Sequence, residues 1–266
     1  MKQVIRLGIV FFGLMATTAY SQTHLRLATT TSIENSGLLA VLNDVFEQQE
    51  GVKVDVIPVG TGRALRIGDQ GDADAVFVHA PEAEMVYVNQ GAFIDRRAVM
   101  HNDFVIIGPA SDPAGLADIA LTSDALMRLM ETENRFISRG DDSGTHKKEL
   151  ALWGKEKPSG RWYIQAGQGM GAVIKMADEL GAYTLTDRGT FIAFSDLVDL
   201  TVVHSGQPPV LNPYHIMAVN PEKHPHVKYK LAKRYITFVT SEAGQALIRD
   251  FTMKGQTLFH PDVVTE

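Results

Sequence analysis

From Leu25 onward the chain alternates strand-like and helix-like patterns, and this alternation limits what it can fold into more than any other feature. Residues 25–28 read as a strand. Residues 37–48 read as a helix, with Leu38, Val41, Leu42, Val45 and Phe46 at helical spacing, and 52–59 as a strand that alternates apolar and polar positions. A helix over 61–71, a buried strand over 73–78 and a helix over 81–90 with proline in its first turn continue the series. Such a series predicts an α/β fold with mainly parallel sheets covered on both faces.

The second half repeats the plan between two strand-like stretches, 99–109 and 212–221. Between them come a helix near 123–132, a short strand at 135–138, helices starting near Thr145 and Gly171, and strands at 183–186 and 201–203. Helices over 227–240 and 242–251 return to the first half. Two crossings that bracket an inserted α/β unit predict two lobes joined by a two-strand hinge. Lobe 1 is expected to comprise residues 22–103 and 216–266, and lobe 2 residues 104–215.

Residues 1–21 break from the pattern: Lys2 and Arg6 precede an apolar run over 7–16, then small residues at Ala19 and Ser21. This predicts a secretory signal peptide cleaved after Ser21. The run is too short for a spanning helix of roughly 20 residues. There is no cysteine, which excludes disulfides, thiolate metal sites, cysteine nucleophiles and a lipid-modified N-terminal cysteine. The expected address is therefore the periplasm. Without Lys2 and Arg6 the chain carries 23 basic and 31 acidic residues, a net charge of about −8, which argues against nucleic acid and anionic membranes. No fixed oligomer is marked, so a monomer is expected.

The chemistry gathers where strands give way to helices. Thr29, Thr30, Thr31 and Ser32 end the first strand, where a helix offers unpaired amides and a partial positive charge. Gly60, Thr61 and Gly62 stand at a second such junction. The densest polar cluster is 138–146, in which Arg139 offers a planar fork and Ser143, Gly144 and Thr145 offer helix-start donors. Gly169, Met170 and Gly171 form another glycine-rich helix start. In parallel α/β sheets ligands bind beyond the carboxyl ends of strands, where these clusters fall. Each has a plainer reading: a capped helix, a tight turn, or an Arg139 that pairs with Asp141 or Asp142.

Other chemistries leave weaker traces. Ser143 lies in a Gly-Asp-Asp-Ser-Gly-Thr loop, but the nucleophile-elbow spacing and the rest of a triad are missing. Nine histidines keep a secreted serine hydrolase as an alternative. His146 and Glu149 are spaced to share a helix face, yet the two-histidine zinc motifs are absent. His224 and His226 read as a solvated loop, and the scattered aromatic residues as core.

Taken together, five stretches resemble the tungstate-binding periplasmic proteins of ABC importers, a class II group of oxyanion receptors. They are 28–32 with 36–39; 60–65; 78–81 with Glu84; 102–109; and 138–146 with Glu149, Leu152 and Trp153. The resemblance implies a two-lobed class II binding-protein fold with a bare oxyanion in the cleft. It also implies ligand donors at Thr30, Thr31, Ser32, Thr61, Arg139, Ser143, Gly144 and Thr145, with further amides at Gly169, Met170 and Gly171. An ABC permease and its ATPase are the implied partners. No cofactor is expected, and tungsten enters only as the oxyanion. This sequence departs from the family at Ile33-Glu34-Asn35 and at His101 on the hinge. A dianion without protons needs donors only, whereas hydrogen phosphate also needs an acceptor, for which Asp141 or Asp142 is available. Molybdate, sulfate and phosphate remain alternatives, and tungstate is favoured by the resemblance alone.

Overall fold

The computed structural model describes residues 22–263. The expected signal peptide, residues 1–21, lies outside them. The first part of the chain runs β1 (Thr23–Thr30), α1 (Thr31–Ser36), α2 (Leu38–Glu50), β2 (Val52–Val59), α3 (Thr61–Asp69), β3 (Ala75–Val78) and α4 (Pro81–Asn89). A long strand, β4 (Phe93–Gly108), leads into α5 (Thr122–Thr132), β5 (Phe136–Ser138), α6 (Gly144–Trp153), β6 (Tyr163–Gln165), α7 (Met170–Glu179), β7 (Thr184–Asp187), α8 (Arg188–Phe194) and β8 (Thr201–His204). A second long strand, β9 (Val210–Val219), precedes α9 (Tyr229–Val239), α10 (Glu242–Asp250) and the short strands β10 (Thr252–Met253), β11 (Gln256–Thr257) and β12 (His260–Pro261).

The expected mainly parallel arrangement is corrected to a mixed one. β1 pairs in parallel with β2 and β3, and β5 with β6. The two long strands, however, pair antiparallel with each other and with β3, β7, β8 and β12. They are members of the sheet, because their apolar faces alternate and each is covered on both sides. Phe104 and Ile106 of β4 enter one apolar cluster with Phe136, Trp153 and Tyr163. Val105 and Ile107 enter another with Val173, Ile174 and Phe191. The aromatic residues are thus largely core, as their scatter implied.

A second correction concerns the first helix, which begins at the Thr/Ser run and is interrupted. Gly37, at φ 82°, ends α1 by donating its N–H to Glu34 O, and α2 starts afresh at Leu38. A left-handed residue is cheap only for glycine, so this residue lets the chain turn between two helices. α2 buries Leu38, Leu39, Leu42 and Phe46 against β1, β2 and α9. Among the described residues no helix is long and apolar enough to cross a membrane.

Phe46 lies edge-on to Tyr235 at 4.9 Å and packs against Phe238 at 5.5 Å, with 1% of its surface exposed. Phe46→Ala is expected to cost about 3–5 kcal/mol by urea denaturation. Truncating the exposed Leu211 is expected to change stability by less than about 0.5 kcal/mol.

Candidate functional site

Adjacent parallel strands place helix starts side by side. β1, β2 and β3 lead into α1, α3 and α4; β5 and β6 lead into α6 and α7. β7 lies parallel to β5 through a bridge at Phe136 and Tyr183, and leads into α8. The first amides of each helix have no intrahelical acceptor, so each start offers donors.

In the first set, Thr30 is the N-cap of α1, but its hydroxyl goes to Ser32 Oγ at 3.1 Å. Thr31 is exposed and begins α1. Thr29 is committed elsewhere, donating to Phe77 O at 2.7 Å. Thr61 begins α3 and is 2% exposed. Gly60 has ordinary extended geometry at φ −70°, with open space where a Cβ would sit, so its turn does not demand glycine.

In the second set, Ser143 caps α6: its Oγ accepts the His146 N–H at 3.2 Å. Gly144 and Thr145 follow as the first helical residues, and Thr145 is buried. A Cβ on Gly144 would lie 3.1 Å from His79 Cε1 and 3.4 Å from Thr61 Oγ1. The start of α6 therefore meets the start of α3, and glycine permits the approach. Arg139, at the end of β5, donates to Asp141 Oδ2 through Nε (3.2 Å) and Nη2 (2.6 Å). The plainer pairing raised by the sequence is present, with Asp141 as the partner. Burial works to raise the Asp141 pKa, but hydrogen bonds from Ser143 and Arg139, with the Arg139 charge, hold it below the usual carboxylate range. Asp142 is turned to solvent, 80% exposed, beside Lys147.

The β5–α6 junction is fixed from behind by Glu149, which is 2% exposed. It accepts from Ser138 (2.7 Å), Tyr163 (2.7 Å) and Trp153 Nε1 (3.2 Å), although burial still holds its pKa above the usual range. Those donors, and the bond from the Asp142 N–H to His146 Nδ1, account for a pair that had the spacing of metal ligands. Among the described residues no cluster is placed to hold a metal ion. In α7, Met170 is buried in an apolar cluster and Gly171 makes room for Phe194, whose Cζ would lie 2.5 Å from a Cβ. Gly169 caps that helix. The Met170 side chain and the space at Gly171 serve packing.

A buried polar chain behind the hydroxyls was not anticipated. Ser32 Oγ lies 3.3 Å from His79 Nε2, and His79 Nδ1 lies 2.8 Å from Asn212 Oδ1. Asn212 Nδ2 donates to Asn102 Oδ1 at 2.8 Å, and Asn102 Nδ2 to Asp187 Oδ1 at 3.3 Å. The signal was available, since Asn102 and Asn212 sit in apolar strand stretches, and polar groups buried there need partners. Burial pushes the His79 pKa below the ordinary histidine range. His224 and His226 lie in a loop as read, half-buried and exposed respectively, and also bond Asp69 O and Gly71 O, tying the α3–β3 turn. His101 stacks on His260 at 5.2 Å and pairs with Asp262.

This mixed α/β architecture is that of the periplasmic binding proteins, and residues 16–243 match the PBP superfamily domain. The chain is 43% identical over 243 residues to the tungstate-binding protein TupA of Peptoclostridium acidaminophilum, covering 89% of this chain and 85% of that one. It is 53% identical to the crystal structure of the tungstate ABC transporter from Geobacter sulfurreducens, with a TM-score of 0.81 over 86% of this chain and 98% of that one. The tungstate-binding protein TupA from Desulfovibrio alaskensis also gives a TM-score of 0.81, at 42% identity over 91% of this chain and all of that one. The chain belongs to the PBP superfamily and, within it, to the family of these ABC-transporter tungstate-binding proteins.

Ser143→Ala removes the α6 cap and is expected to lower stability by about 0.5–2 kcal/mol in thermal melts. Loss of an esterase activity in the same variant would instead mark Ser143 as a nucleophile.

Proposed function

We propose that this chain is the substrate-binding component of an ABC transporter, that it takes up tungstate in a cleft between two lobes, and that it performs no catalysis. The observation that carries the reading is the meeting of α6 with α3 at Gly144, Thr61 and His79, which brings two sets of helix starts together. The class II lobes follow the sequence boundaries, residues 22–103 and 216–266 against 104–215. In support, β4 pairs with β9 up to Phe104 and with β7 and β8 beyond it. Two apolar clusters lie within 104–215 and one within the other lobe, while the fourth, mostly in the other lobe, also takes in Ile192 and Tyr214.

The oxyanion is held by Thr30, Thr31, Ser32 and Thr61 on one lobe. Arg139, Ser143, Gly144 and Thr145 hold it on the other, with amides from Gly169, Met170 and Gly171. Arg139 uses Nε and Nη2 on Asp141, and its five N–H groups leave others for the ligand. Asp141 is committed to Arg139 and to the Ser143 N–H at 3.2 Å, so it is poorly placed to accept a phosphate proton. This favours a dianion that brings acceptors only. Export to the periplasm, with residues 1–21 as signal peptide, delivers the loaded protein to a permease and its ATPase.

Melting curves with tungstate, molybdate, sulfate and phosphate test the class of ligand. Tungstate at about one hundred times its Kd is expected to add about 2.7 kcal/mol of stability, and no shift with any anion would overturn the reading. In isothermal titration, Arg139→Ala is expected to weaken tungstate binding about 10- to 100-fold and Thr61→Ala about 2- to 13-fold. Arg139→Lys should recover part of the loss, because a point charge lacks the planar fork. Parent-like affinity in a folded Arg139→Ala would assign Arg139 to the Asp141 pair alone.

A further inference from the structure

The polar chain behind the hydroxyls has a fixed direction. Asp187 accepts the Thr190 N–H at 2.9 Å and the Thr190 hydroxyl at 2.6 Å, and as a carboxylate it only accepts. Asn102 therefore turns its Nδ2 to Asp187 and its Oδ1 to Asn212 Nδ2. Asn212 Oδ1 then faces His79 Nδ1, so that nitrogen carries the ring proton. While the ring is neutral, Nε2 is an acceptor, and the Ser32 hydroxyl donates to it. Ser32 Oγ accepts in turn from Thr30. Both hydroxyl protons then point inward toward Asp187, and neither is offered to a ligand.

We propose that oxyanion binding is coupled to protonation of His79 at Nε2, which reverses the hydroxyl end of this chain. The inference rests on the tungstate-binding reading above. Solvent supplies the proton. Nε2–H then donates to Ser32 Oγ, and Ser32 turns its own proton to the anion or to Thr30, whose proton turns outward instead. A bare dianion brings acceptors only, so the neutral arrangement does not suit it. If Ser32 turned outward while the ring stayed neutral, a buried acceptor would lose its donor.

The surroundings of the ring allow the change. Burial and the Arg139 charge favour the neutral form, while Asp187 and Glu84 favour the cation. Tyr214 lies against the ring at 4.7 Å, and Glu82, Lys147 and Lys148 line a cavity of about 130 Å³ beside it. A dianion at Ser32 adds negative charge on the Nε2 side. A group whose pKa rises on binding takes up protons, so affinity is highest at low pH and falls as pH rises between the free and bound values.

Titration with tungstate in two buffers of different ionisation enthalpy, from about pH 6.5 to 8.5, measures the protons exchanged. A fraction of a proton should be taken up per anion, with affinity falling by at most about tenfold per pH unit, and His79→Gln should abolish both effects. Ring-nitrogen NMR of the unsubstituted protein should show an Nδ1–H tautomer without tungstate and a doubly protonated ring with it. Zero uptake, unchanged uptake in folded His79→Gln, or a neutral ring in the saturated protein would overturn the coupling. Absence of any tungstate binding would overturn the functional reading instead.

Discussion

The antiparallel pairing of β4 with β9, from Phe93 opposite Val219 to Phe104 opposite Val210, is the interaction on which the rest of the molecule hangs. β3 joins one side of this ribbon through β9, while β7 and β8 join the far end of β4. Within it Asn102 stands directly opposite Asn212. Two amides in an apolar ribbon are costly unless bonded, and here they bond each other, Asn102 also bonds Asp187, and Asn212 also bonds His79 and the Tyr214 hydroxyl. The polar chain that supports the hydroxyl turn is thereby anchored where the backbone is most constrained.

An anion site in a chain of net charge −6 has to work locally. Charges beyond about 8–10 Å are largely screened at physiological salt, so the surrounding acids weigh less than donors in contact. Helix starts suit this, because their amides are fixed by the backbone and need no reorganisation. The pair with Asp141 holds the Arg139 guanidinium in place at the end of β5, which Glu149 braces through Ser138.

Much of this was legible in the sequence. The alternation of patterns located most strands and helices, and the hydroxyl and glycine clusters fell at strand ends, as local capping and turn chemistry require. Strand direction was not legible, because pairing between residues as distant as Asn102 and Asn212 leaves no local periodicity. The split of the first helix was hidden in Gly37, which reads equally as a start or a stop. Partners of distant polar groups were also hidden: nothing local in the sequence ties His224 and His226 to the carbonyls of Asp69 and Gly71.

Gly37 has an evolutionary consequence. It separates the six-residue α1, which carries the hydroxyl turn, from α2, which fills the core with Leu38, Leu42 and Phe46. Ile33 of α1 joins that core, but the exposed Thr31 and half-buried Ser32 do not, so substitutions at those two positions are not carried along a continuous helix into α2. The hydroxyl positions at the start of α1 are thus open to change while the apolar contacts of α2 stay as they are.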